Sequence, residues 1–220
     1  MRSRLIYLGL LAVAVALMMS CAPEPPAAEA PPSPPEKPPE VYRVKFETSK
    51  GDFVIEARRE WAPRGADHFF GLVNYKFYDG ARFFRVIRNY IVQFGINGDP
   101  QTQALWGGAQ IPDDPVVQSN TKGFVSFAKL GPNSRATQVF INLKDNASLD
   151  AEGFAPFGRV VEGMDVVERL WSSYGEVAPR GTGPDPATIE QQGNGYLDQR
   201  FPRLDYIIRA RVVAGASSPE

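Results

Sequence analysis

The chain has 220 residues, 24 Lys and Arg against 25 Asp and Glu, and a formal net charge of −1. That length suits one compact domain with extensions. The near-neutral balance, with no basic cluster and no aromatic–basic interleaving, argues against nucleic acid as a partner. One cysteine, Cys21, and one histidine, His68, leave no intrachain disulfide, no Cys/His zinc set and almost no room for Ser-His-Asp or Cys-His chemistry.

Arg2 and Arg4 precede an apolar run at 5–18, shorter than the ~20 residues of a membrane-spanning helix. This layout predicts a secretory signal peptide over residues 1–20. The run closes on Met18-Met19-Ser20-Cys21, a small residue directly before a cysteine, which resembles a bacterial lipoprotein signal. The resemblance implies cleavage before Cys21, diacylglycerol on its sulfur and an acylated amine. The lipid bilayer then becomes a partner through acylated Cys21. The expected location is the bacterial cell envelope, periplasm-facing or extracellular. Ala22, rather than aspartate, favours the outer membrane in a Gram-negative cell. Residues 22–40 are nearly half proline and carry Glu24, Glu29, Glu36 and Glu40. They read as a polyproline-II tether with a reach on the order of 60 Å.

From Val41 the pattern changes to alternation. Tyr42, Val44 and Phe46 mark one half-buried strand, and Phe53, Ile55 and Ala57 a second, joined as a hairpin through Ser49-Lys50-Gly51-Asp52. Pro63 stands where a first-turn proline belongs, and Ala66, Phe69, Phe70 and Val73 follow at helical spacing. They predict a helix over 63–74 with one buried face. His68 falls beside that face without a partner set and reads as structural.

Residues 83–95, FFRVIRNYIVQFG, read as two short strands, 83–87 and 90–94, around Arg88-Asn89. Arg85 is the anomaly. An arginine in an apolar run either faces water or sits on a groove wall with its donors aimed at a ligand. Residues 95–120 read as a long loop and a candidate binding surface. Trp106 within it suits a loop anchor better than a contact, and Asp113-Asp114 suit a turn better than an acid–base pair. Further strands are expected at 123–127, 138–143 and 157–161. A second helix is expected around Val166, Val167, Leu170 and Trp171. Residues 174–201, rich in Gly and Pro, read as an ordered or semi-ordered excursion before a last strand within 204–213 and a frayed tail. The pattern is mainly β, a closed antiparallel barrel capped by two helices, with long loops.

Three segments together resemble the cyclophilins, the cyclosporin-type peptidyl-prolyl isomerases. The first is Phe83-Phe84-Arg85-Val86-Ile87, running on to Gln93. The second is Phe127-Ala128-Lys129-Leu130-Gly131-Pro132-Asn133, followed by Gln138-Val139-Phe140-Ile141. The third is Leu149-Asp150, then Phe157-Gly158-Arg159-Val160-Val161-Glu162-Gly163-Met164. The resemblance spans 41–213 and looks most like the bacterial members, including lipoprotein-like ones. It implies an eight-stranded closed barrel over 41–215. It also implies a monomeric peptidyl-prolyl cis-trans isomerase with no cofactor and no metal, acting on Xaa-Pro segments of unfolded or folding polypeptides.

Carried over by position, the catalytic arginine falls on Arg85 with the family glutamine on Gln93, and Phe84 is their substrate-facing neighbour. The aromatic floor of the proline pocket falls on Tyr90, with Ile91 beside it. The backbone-binding segment falls on Ala128 and Lys129, the second glutamine on Gln138, the deep pocket phenylalanine on Phe140 and the closing leucine on Leu149. Phe154 takes the approximate place of a pocket histidine. Tyr90, Ile91 and Lys129 stand where the family usually has phenylalanine, methionine and, in many members, asparagine. Ser148 replaces the tryptophan that contacts cyclosporin, and Arg88-Asn89 the usual Pro-Gly turn. Two readings of other classes stay open. One is a non-catalytic proline-segment binding module at the cell envelope. The other is a barrel carrying an apolar small molecule, against which Phe53, Phe69, Phe70, Phe127 and Phe140 are expected to fill the interior.

Overall fold

The computed structural model describes residues 37–213. The expected signal peptide, Cys21, most of the tether and the tail beyond 213 lie outside the described residues. Eight strands form one sheet: β1 (Val41–Thr48), β2 (Gly51–Arg58), β3 (Arg85–Ile87), β4 (Ile91–Phe94), β5 (Phe124–Phe127), β6 (Val139–Asn142), β7 (Pro156–Glu162) and β8 (Ile207–Val213). Their order is β3-β4-β6-β5-β7-β2-β1-β8, and every neighbouring pair is antiparallel. Five helices accompany them: α1 (Pro63–Asn74), α2 (Pro100–Gly107), α3 (Ser148–Ala151), α4 (Met164–Glu168) and α5 (Pro186–Arg200).

Helix α1 follows from its sequence. Pro63 opens it, and Ala66, Phe69, Phe70 and Val73 are buried on one face. Its N-cap, Ala62, has no side-chain acceptor. Asp114, from the loop before β5, takes that role and accepts the Arg64 and Gly65 backbone N–H groups at 3.2 and 2.9 Å. The same carboxylate pairs with Arg135 Nη2 at 3.0 Å, both side chains being 1% exposed. Asp113-Asp114 therefore serve the framework through these contacts, although residues 113–114 form no turn.

The inner face of the sheet and α1 enclose an aromatic core. Phe46 stacks on Phe53 at 4.8 Å, Phe69 meets Phe157 at 4.8 Å, and Phe83 meets Phe94 at 5.3 Å. Each fully buried ring contributes about 1.5–3 kcal/mol. His68 lies against Trp106 and Phe127. Burial lowers its pKa to about 4, against a partly compensating hydrogen bond to the Ala136 backbone. Trp106 is buried and also packs on Tyr75 and Phe77, which makes it an anchor.

Four expectations change. The barrel is open: β3 and β8 are the two ends of the strand order. Among the described residues the seam is spanned by the isolated Arg82–Tyr206 bridge and by backbone bonds such as Phe83 N–H to Asp205 O, with no strand ladder between β3 and β8. Beyond it the chain turns away, because Phe84 is drawn into a separate apolar cluster with Ile189 and Leu197 of α5. The helices are more than two, because α2 lies in the expected long loop and α5 in the excursion. The helix expected at 166–171 is the short α4, which ends before Leu170. Phe140 does not fill the interior. It belongs to a third cluster on the outer side of β4 and β6.

Candidate active site

Two-residue alternation along β4 and β6 builds the site. Val92, Phe94, Val139 and Ile141 point into the aromatic core. Ile91, Gln93, Gln138 and Phe140 therefore line the opposite face, a groove of about 750 Å³. The β3–β4 hairpin turns at Arg88-Asn89, with Asn89 at φ 55°, and sets Arg85 directly opposite Gln93. Gln93 in turn lies opposite Phe140. The anomaly in the sequence is thus resolved: Arg85 is on the groove wall, its side chain 19% exposed.

The groove has two halves. Its floor is the apolar cluster of Ile91, Phe140 and Leu149, each buried, with Tyr90, Ala128 and Phe154 packed around them. Phe154 meets Phe140 edge-on at 5.5 Å. A buried polar network fixes that floor from below. Asn146 Nδ2 donates to the Tyr90 carbonyl at 3.0 Å and to Asn142 Oδ1 at 2.8 Å. Asp150 accepts from the backbone and side chain of Asn120, both at 2.8 Å, which ties α3 and its Leu149 to the sheet. Buried polar groups satisfied in this way specify one arrangement.

The polar half is a row of side chains. Arg85 Nη1 donates to Gln93 Oε1 at 3.0 Å, Gln93 Nε2 donates to Gln138 Oε1 at 2.9 Å, and Gln138 Nε2 reaches Glu190 of α5 at 3.5 Å. Arg85 also donates Nε and Nη2 to the two carboxylate oxygens of Glu176, at 2.6 and 2.7 Å. The Arg85 guanidinium holds the Glu176 carboxyl below the usual carboxylate range.

All the groove residues expected from the sequence line this one cavity: Phe84, Arg85, Tyr90, Ile91, Gln93, Ala128, Lys129, Gln138, Phe140, Leu149 and Phe154. One differs in detail from the expectation. The Phe84 ring is 2% exposed and packs toward α5. The Lys129 side chain turns to the framework: Nζ pairs with Asp113 at 3.1 Å and lies 5.6 Å from the Phe154 ring centre. Cys21 lies outside the described residues. The excursion supplies Glu176, Val177, Arg180, Asp185 and Glu190 to the same cavity, and none of these was expected. Among the described residues no group of three or more His, Cys, Asp and Glu side chains is placed to hold a metal ion.

Residues 43–190 match the family model described as cyclophilin type peptidyl-prolyl cis-trans isomerase. The chain belongs to the cyclophilin family of peptidyl-prolyl cis-trans isomerases. Among its relatives is a peptidyl-prolyl cis-trans isomerase of Arabidopsis thaliana, 35% identical over 146 residues, which cover 64% of this chain and 82% of the plant protein. An isomerase of the bacterium Acinetobacter baylyi is 34% identical over 142 residues, covering 60% of this chain and 75% of the relative. Among solved structures, a Cryptosporidium parvum cyclophilin superposes with a TM-score of 0.59 at 19% identity, covering 80% of this chain and 99% of that one. That likeness bears on the fold, and the sequence relatives bear on the activity: this cyclophilin catalyses cis–trans isomerisation of the bond preceding proline.

Proposed function

We propose that Arg85 is the catalytic donor of this isomerase and that the groove takes Xaa-Pro segments of unfolded or folding polypeptides at a bacterial cell envelope. The observation that carries the reading is the row Arg85–Gln93–Gln138 standing over the separate apolar floor of Ile91, Phe140 and Leu149. Rotation about the bond must break amide resonance, against a barrier of about 18–20 kcal/mol. No covalent bond forms or breaks, so the chain's poverty in histidine and cysteine is no handicap. In the twisted transition state the proline nitrogen regains its lone pair. A donor aimed at that nitrogen binds the transition state better than either ground state, and only such differential binding accelerates the step. An arginine suits the task because a guanidinium stays charged and carries several donors. The floor holds the proline ring, and Gln93 and Gln138 fix the arginine from its side.

In this reading the domain acts as a monomer at the end of a tether. Acylated Cys21 anchors it to the bilayer, the proline-rich residues 22–40 hold it off the surface, and the outer membrane is the favoured site in a Gram-negative cell. The signal at 1–20 and the composition of the tether support this arrangement. Mass spectrometry of the mature N-terminus tests it; an unmodified or uncleaved Cys21 overturns it.

The test of the chemistry is NMR exchange spectroscopy on one Xaa-Pro peptide. Arg85→Ala is expected to lower the catalysed rate by about a hundredfold, the loss typical of one transition-state donor. Near wild-type exchange in that variant removes Arg85 from the mechanism. The second reading, a non-catalytic proline-segment module, draws on the Glu176 carboxylate that already engages two Arg85 donors. It requires peptide binding with no acceleration by the wild-type chain, and the same spectrum separates the two.

A further inference from the structure

Glu176 grips Arg85 side-on, through Nε and Nη2 together. This fork is among the strongest geometries open to an arginine–carboxylate pair. The partner lies 91 residues away, outside the three motif segments though within the residues 43–190 that match the family model. The turn that delivers it is tightly built. Gly183 N–H donates to the Glu176 carbonyl at 2.8 Å and Gly181 N–H to the Val177 carbonyl at 3.0 Å. A Cβ on Gly181 or Gly183 would strike the Glu176 backbone. Val177 N–H donates to Glu176 Oε1 at 2.9 Å, which fixes the carboxylate as well as the backbone. Tyr174 and Val177 pack against the cluster that holds Phe84, so the turn is fastened to the layer that bears Arg85's own neighbour.

The donor count gives this pair its meaning. A guanidinium carries five N–H bonds. Glu176 takes two and Gln93 one, which leaves one on Nη1 and one on Nη2. An arginine on a free stem samples many rotamers. Held along one edge by a carboxylate and at Nη1 by a glutamine, its plane is set before any peptide arrives, and preorganised donors are the effective ones. We propose that Glu176 is a positioning residue for the isomerase reaction: it orients Arg85 so that its two uncommitted N–H groups are the ones offered to the substrate. This rests on the reading of Arg85 as the donor.

The test uses the full chain and four variants: Glu176→Gln, Glu176→Asp, Arg85→Ala and the Arg85→Ala/Glu176→Gln double variant. NMR exchange on an Xaa-Pro peptide gives kcat and KM, and the 15N–1H resonance of Arg85 Nε reports the pair without substrate. Glu176→Gln is expected to lower kcat about tenfold, the loss expected when one charge-assisted contact goes, with KM changed less than about twofold. Glu176→Asp recovers part of the rate. The double variant is no slower than Arg85→Ala alone, because the two residues act through one another. The Nε resonance shifts and broadens in Glu176→Gln. Unchanged or raised kcat in Glu176→Gln, or an additive loss in the double variant, overturns the proposal; raised kcat would make Glu176 a competitor of the substrate. If Glu176→Gln does not fold, Glu176→Asp decides by the same two readouts. A wild-type chain that accelerates no exchange overturns the isomerase reading instead. The pair is then judged on the resonance alone, and an unmoved Nε signal overturns it.

Discussion

Gln93 stands opposite Arg85 across the β3–β4 ladder, and its side-chain oxygen accepts from Nη1 at 3.0 Å while its amide donates to Gln138. The glutamine therefore links the guanidinium to Gln138, the residue that leads into β6, and fixes its own orientation by using both ends of its amide. Gln93→Ala removes both bonds and leaves the backbone pairing untouched. It should lower kcat/KM about tenfold, the loss of one to two net hydrogen bonds, with melting temperature nearly unchanged. An unaltered rate in peptide exchange would show that Arg85 needs no support from this side.

Arg135 holds the loop that carries Ala128 and Lys129 past the groove, and it does so from a fully buried position. It pairs with Asp114 at 3.0 Å and with Asp113 at 3.3 Å, and it also donates to the Pro112 carbonyl. Asp114→Ala leaves a buried cation short of its closest carboxylate and the first turn of α1 uncapped. The expected cost is about 3–5 kcal/mol of stability in chemical denaturation. A loss under about 1 kcal/mol would mean that Asp113 and water replace the missing carboxylate.

Gly193 breaks α5 at φ 60° and ψ −149°, a backbone region open to glycine alone. A Cβ there would strike the Gly98 carbonyl, which accepts the Asn194 N–H at 2.9 Å. Gly193→Ala should destabilise the chain by about 1–3 kcal/mol, seen as a melting temperature lowered by several degrees. Equal melting curves would show that α5 can part from α2 without consequence.

Burial of His68 favours its neutral form, with a pKa of about 4 in the fold against 6.5 for the free side chain. Between those values the unfolded chain binds the extra proton, so stability rises with pH across that window and is lost as pH falls through it. The loss amounts to at most about 3.5 kcal/mol, from ~1.4 kcal/mol for each unit of displacement. Denaturation at pH 4, 5, 6 and 7 measures it. His68→Phe removes the titration and should flatten that part of the profile. The same acid slope in both proteins would assign it to other groups.

Some of this architecture could be read directly. Pro63 and the stripe Ala66, Phe69, Phe70 and Val73 give α1 its bounds, because capping and amphipathic signals agree there. Strands at 83–87 and 90–94 around Arg88-Asn89 would set Arg85 opposite Val92; the observed register, with Ile87 opposite Ile91, shifts by one residue and sets Arg85 opposite Gln93. The helices α2 and α5 escaped notice, although Asp99-Pro100 and Asp185-Pro186 are helix-start signals whose carboxylates do cap the turns that follow. Their glycines and the near absence of an apolar stripe obscured them, since few of their residues are buried. The open seam followed from Phe84 leaving the sheet for α5, a choice between two apolar clusters that local pattern does not encode. Glu176 could not be read at all. No periodicity announces that a carboxylate will meet a guanidinium 91 residues earlier in the chain.

The register of β4 against β6 puts Gln93 and Phe140 on one face and Val92, Phe94, Val139 and Ile141 on the other. A slip of one residue in either strand would send a groove residue into the aromatic interior and a core residue into the groove. A mispaired chain could therefore be neither compactly folded nor active, and the turnover of a preparation counts its correctly paired molecules. The isomerase carries, in this ladder, a built-in assay of its own fold.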